Sequence, residues 1–105
     1  MSAPKNTVRR HQRLKIYKRD GYRCMYCLVL LHPPSDNATV DHVVALSKGG
    51  TNRSSNLVAA CLVCNDAKGD QSLDYYLESL DNRMFDAVRI KARIHRQTQI
   101  KEPTS

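Results

Sequence analysis

The chain has 105 residues, a formal net charge of +7, 41% hydrophobic residues, no Trp and one Phe, which suits one small domain, 1–105, with a modest core and few aromatic anchors. No apolar run approaches the roughly 18 residues that cross a bilayer, and the N-terminus lacks a hydrophobic signal core, so no membrane association is expected and the predicted location is cytoplasmic. Charge is segregated: residues 1–23 hold eight Lys/Arg against one acid, residues 24–81 three against seven, and residues 82–101 six against one. Basic ends around an acidic middle suit arms that meet a polyanion and a centre that holds a cation, although helical Lys/Arg runs are also ordinary solvated faces.

Residues 1–6 and 102–105 read as loose tails. The stretch from about 7 to 19 has no helix breaker; Asn6 or Thr7 offers a cap, Leu14 and Tyr17 share a face, and Asp20-Gly21 ends it. Arg9, Arg10 and Arg13 on this helix are candidate nucleic-acid contacts. "YRCMYC" (22–27) resembles the knuckle of a zinc ribbon and is followed by apolar "LVLL" and a "HPPSDN" loop. "ATV" (38–40) predicts a short strand running into Asp41 and His42, and "SKGGTN" (47–52) is turn chemistry in which Lys48 is a further candidate contact. "NLVAA" (56–60) predicts a second short strand or extended segment, and Leu62 to Lys68 the first turns of a helix interrupted at Gly69. Leu73, Tyr76, Leu77 and Leu80 have helical spacing. Asp81 or Asn82 could cap a last helix from about 83 to 99, with Phe85, Val88 and Ala92 on one face, Met84 beside them, and Arg89, Arg93 and Arg96 on another. That arginine face either tracks phosphates or is simply wet.

Cys24, Cys27, Cys61 and Cys64 form CxxC-x33-CxxC. In a reducing compartment two matched pairs read as a closed four-sulfur site, usually for Zn²⁺; two buried thiol pairs, a redox motif or an iron–sulfur cluster are the alternatives. The gap exceeds that of a simple ribbon, and the inserted segment carries Asp41 and His42.

Asp41 offers a hard oxygen ligand for Mg²⁺ or Mn²⁺, and His42 a base that titrates near neutral pH, or else a satisfied structural histidine. Both serve one centre only if the chain bends there, which Gly49-Gly50 would permit. Asn65 directly follows Cys64, so a zinc knuckle would fix its amide at a helix start. Lys68 stands three residues on, where an ammonium could touch a phosphate, and Asn56 could bond the backbone around the His42 loop.

"VDHVVALSKGGTNRSSNLVAACLVCNDAKGD" resembles the HNH endonuclease motif in its form with Asn for the last His, and "RDGYRCMYC" resembles that family's lead-in. The likeness covers about residues 19–70. It implies an α+β fold with a small ββα-metal (His-Me finger) core, stapled by a zinc-ribbon-like four-cysteine site and flanked by N- and C-terminal helices. It also implies metal-dependent hydrolysis of DNA phosphodiester bonds, as nicking or double-strand cleavage. His42 would be the general base, Asp41 and Asn65 the ligands of the catalytic ion, and Asn56 the orienter of the His loop. The implied cofactors are structural Zn²⁺ and catalytic Mg²⁺ or Mn²⁺, with Ni²⁺ or Zn²⁺ as alternatives; DNA is the implied partner. Many relatives have Pro where Ala45 stands. Small stand-alone forms of this kind resemble phage or bacterial proteins, some of which assist a terminase or another DNA-processing protein. The competing reading is a non-catalytic zinc-ribbon nucleic-acid adaptor, for example in phage packaging.

Overall fold

The computed structural model describes residues 8–81, 83 and 85–100; Asn6, Thr7, Asn82, Met84 and the two tails lie outside them. The order is α1 (Arg10–Arg19), β1 (Ala38–His42), β2 (Leu57–Cys61), α2 (Leu62–Lys68), α3 (Leu73–Glu78) and α4 (Ala87–Thr98), with 3₁₀ turns at Leu46–Lys48 and Ser54–Asn56 between the strands. This is the expected α+β class: β1 and β2 pair antiparallel, Ala38 opposite Cys61 through His42 opposite Leu57, and α2 follows β2 without a break.

The apolar run of β2 explains its place. Leu57, Val58, Ala59 and Ala60 are all wholly buried, as an unbroken apolar strand covered on both faces must be. Around it pack Ile16 and Tyr17 of α1, Met25 and Tyr26 of the first knuckle, Leu31, Tyr76 and Leu77 of α3, and Ile90 and Ile94 of α4.

A two-stranded sheet leaves both outer edges with unpaired backbone groups, and burying them unpaired is costly. Side chains and the first knuckle close both edges. On β1 the alternate carbonyls of Ala38, Val40 and His42 accept from Tyr17 Oη (2.9 Å), Asn65 Nδ2 (3.4 Å) and Lys68 Nζ (2.9 Å). On β2 the Leu57 carbonyl accepts from Arg19, the Ala59 N–H donates to Asp20 Oδ2 (2.8 Å), and the Ala59 carbonyl accepts from the Met25 N–H (2.9 Å).

Three helix expectations are corrected. On α1 the buried pair is Ile16 and Tyr17, while Leu14 is 41% exposed; the helix begins at Arg10, and its N-cap Arg9 supplies no side-chain bond. The last helix begins at Ala87 and not near residue 83, because Asp86 caps it by accepting from the Arg89 N–H. Asp81 is used instead in a turn, accepting from the Arg83 N–H at 2.9 Å. The α4 stripe that docks is Ile90, Ile94 and Thr98, while Val88 is 79% exposed and Ala92 faces out. Two isoleucines bury more apolar area than Val88 and Ala92 would, so the helix turns that face inward.

Candidate active site and its zinc staple

The two knuckles bring the four cysteine sulfurs within 4.8 Å of one another. Cys27 Sγ and Cys61 Sγ are 3.8 Å apart, close to the spacing of about 3.8 Å that tetrahedral Zn–S bonds of about 2.3 Å impose. Backbone N–H groups point at the sulfurs: those of Tyr26 and Cys27 at Cys24 Sγ (3.4 and 3.5 Å), and that of Cys64 at Cys61 Sγ (3.4 Å). Such donors stabilise thiolate. With only protons to share, a hydrogen bond from Cys64 brings Cys24 down to about 5, while burial lifts Cys27 to about 11 and the Cys24 contact pushes Cys64 up strongly. One thiolate forms readily and its neighbours then resist, an imbalance that a divalent cation relieves. The donor set fits structural zinc.

Cys61 ends β2 and Cys64 lies in the first turn of α2, so the second knuckle aims α2 along β1. Asn65 and Lys68, three residues apart on that helix, reach two successive positions of the strand. Asn65 Nδ2 donates to Thr39 Oγ1 (2.9 Å) and to the Val40 carbonyl. Its amide nitrogen is thereby committed inward, which leaves the amide oxygen as the group suited to a hard cation. Lys68 is 0% exposed; its ammonium donates to the His42 carbonyl and lies 3.7 Å from Asp41 Oδ2. This corrects its expected contact with a phosphate, because the ammonium is spent inside, holding the strand end and offsetting the carboxylate.

Asp41 is 4% exposed. Tyr26, in the middle of the first knuckle, donates its hydroxyl to Asp41 Oδ2. Burial raises the Asp41 carboxyl above its ordinary range, with the Lys68 charge and the Tyr26 hydrogen bond opposing. Burial and the neighbouring Asp41 charge push the Tyr26 phenol well up, so it stays a donor.

His42 is the last residue of β1, in register opposite Leu57, and the chain bends directly after it, at Val43 and Val44. Asn56 pins this bend. Asn56 Oδ1 accepts from the Val44 N–H, and Nδ2 donates to the carbonyls of Val44 and Thr51, all at 2.9 Å. Gly50 packs so closely on this loop that a Cβ would lie 1.8 Å from the Val44 carbonyl oxygen, so only glycine fits. Ala45 has φ −59° and ψ 146°, torsions that proline also adopts. The His42 Nε2 lies 2.7 Å from Asn52 Oδ1, and Gln12 of α1 holds the Asn52 carbonyl at 2.6 Å.

The candidate nucleic-acid contacts divide. Arg9, Arg10, Lys48, Arg89 and Arg96 are exposed. Arg13 donates to the Val8 carbonyl (2.7 Å) and Arg93 to the Met25 carbonyl (2.6 Å), both half-buried. Sequence reasoning missed Tyr26 and Asn52. The only sequence signal for Tyr26 is a phenol inside a CxxC pair, and Asn52 carries none beyond turn chemistry.

Residues 24–71 match the family model described as HNH endonuclease. Among solved structures, the Type II-C Cas9 enzyme from Actinomyces naeslundii superposes with a TM-score of 0.59 at 21% identity, over 86% of this chain and 13% of that one. The likeness is one of fold, and the chain spans only that small share of the enzyme's length. No curated protein matches the chain by sequence. The DH-to-Asn order laid along β1, β2 and α2, with the four cysteines gathered beside it, lies within the stretch that matches the HNH endonuclease model.

Proposed function

We propose that the chain is a metal-dependent endonuclease that hydrolyses DNA phosphodiester bonds, with His42 as general base. The observation that carries this reading is the setting of His42. It ends β1 next to a buried carboxylate, at the mouth of a loop that Asn56 and Gly50 hold in one shape. A histidine there can take the proton of an attacking water. Asp41 and Asn65 would hold the catalytic ion, which when bound offsets charge on the phosphoryl group and the leaving oxygen. Lys68 acts from within, fixing the His42 carbonyl and moderating the Asp41 charge. Arg9, Arg10, Lys48, Arg89 and Arg96 supply salt-sensitive contacts to phosphates, and such contacts position without reading sequence.

The test is incubation of supercoiled plasmid with wild type and His42→Ala, adding EDTA, Mg²⁺, Mn²⁺ or Ni²⁺ in turn. Wild type should convert plasmid to open-circular or linear DNA only with a divalent ion. His42→Ala should lose at least about 100-fold in rate, the scale of general-base catalysis, while keeping its DNA affinity. Retained cleavage by the mutant would sink the assignment of the base. Binding without cleavage under every ion would favour the adaptor reading.

A further inference from the structure

The hydroxyl of Tyr26 joins two centres that the sequence presents as separate. Its backbone is fixed from three sides. Its own N–H points at Cys24 Sγ, the neighbouring Met25 N–H donates to the Ala59 carbonyl, and the Met25 carbonyl accepts from Arg93. Its ring meets Tyr76 edge to face, with centroids 5.4 Å apart and planes at 87°. A tyrosine has two side-chain dihedrals, and this packing sets both. The position of its hydroxyl is therefore dictated by the knuckle. A phenol that needed only a partner could have taken any backbone carbonyl; this one grips Asp41 Oδ2, the oxygen Lys68 also faces.

Among the described residues, the side-chain contacts of Tyr26 and Lys68 fall on Oδ2, and the His42 backbone N–H also bonds this carboxylate. We infer that Tyr26 is a positioning residue for the catalytic ion: it transmits the geometry of the first knuckle to Asp41 and fixes the orientation in which that carboxylate meets the ion. The inference rests on the hydrolase reading above. Partners of this kind, one bond removed from an ion, typically change metal affinity or activity by about 10–100-fold when removed.

The experiment measures Mn²⁺ affinity of the zinc-loaded chain by electron paramagnetic resonance, beside zinc content and the far-UV dichroism spectrum. Tyr26→Phe removes the hydroxyl and keeps the ring. It should retain zinc and secondary structure while binding Mn²⁺ about tenfold more weakly. Because that variant leaves a buried carboxylate short of a donor, the same change is also made in the Asp41→Asn background, where no carboxylate needs it. There Tyr26→Phe should leave the residual Mn²⁺ affinity unaltered. A further tenfold loss in that background would show that the hydroxyl acts by a route other than the Asp41 carboxylate and would overturn the inference. Equal affinity of wild type and Tyr26→Phe overturns it too, and leaves the hydrolase reading standing. A wild type that binds Mn²⁺ but cuts DNA under no ion overturns the hydrolase reading and leaves the place of Tyr26 at the ion intact.

Discussion

The central unit and the two basic helices use charge in opposite ways. In the centre, from Cys24 to Gln71, the ionisable groups that matter are paired and, but for Cys27, buried: Asp41 faces Tyr26 and Lys68, Lys68 faces a carbonyl, and four thiols face one another. On α1 and α4 charge is mixed in purpose. Arg19, Arg13 and Arg93 turn inward onto backbone carbonyls, while Arg9, Arg10, Arg89 and Arg96 stay in solvent. A net charge of +7 therefore overstates the surface offered to a polyanion, since part of it is the fastening that holds the helices to the sheet. The centre is organised for a cation, and the helices only in part for an anion.

The largest expected effect breaks the centre. The four-sulfur site gathers both knuckles, the end of β2 and the start of α2. Structural zinc sites of this type are worth about 10–16 kcal/mol of apparent binding energy in small domains, comparable to the whole stability of a chain this size, about 5–15 kcal/mol. Stripping zinc with a strong chelator, or changing Cys61→Ser, should abolish the cooperative melt seen by dichroism. A chain that keeps its melt without zinc would refute the staple. The pH dependence has a definite sign. The Cys24 thiol, at about 5, is already ionised at neutral pH, whereas Cys27, at about 11, must lose its proton to solvent for its sulfur to bind the ion. Zinc uptake releases protons, so affinity weakens as pH falls.

Next in size is the inward charge of α1. Arg19 forks onto Asp20 at 2.7 and 3.0 Å, and donates to the carbonyls of Ser54 (2.9 Å) and Leu57 (2.6 Å). Its side chain is 4% exposed and that of Asp20 0%. Arg19→Ala leaves a buried carboxylate and an unpaired strand carbonyl, a loss of about 3–5 kcal/mol. Chemical denaturation should show that loss with zinc still bound. A loss below about 1 kcal/mol would mean that the edge of β2 does not depend on this pair.

Legibility followed the range over which each residue's partners lie. Helix α2 was readable to the residue because Cys61 and Cys64, Asn65 and the stop at Gly69 are close in sequence. The strands followed from apolar runs bounded by turn residues. What escaped was set by distant partners. Lys68 looks like a solvent-facing cation until a strand 26 residues away takes its ammonium, and Arg93 shares a helical face with Arg89 and Arg96 although a carbonyl 68 residues away claims it. Spacing on one helix gives direction but not what stands opposite, and for long cationic side chains the opposite group decides the role.

The smallest expected effect separates Arg89 from Arg93, one helical turn apart. Arg89 is exposed, and its guanidinium pairs with the helix cap Asp86, 3.4 Å away, a pair of little energetic weight. Arg93 holds the Met25 carbonyl inside the first knuckle; a hydrogen bond from a charged donor is worth about 1.5–3 kcal/mol. Arg93→Ala should therefore lower the melting temperature by several degrees and leave the salt dependence of DNA binding almost unaltered. Arg89→Ala should leave the melt in place and reduce the slope of log affinity against log salt by about 0.9, the share of one phosphate contact. If both variants changed only the slope, α4 would be a DNA-facing helix along its whole arginine face. The division of charge drawn above would then stop at α1.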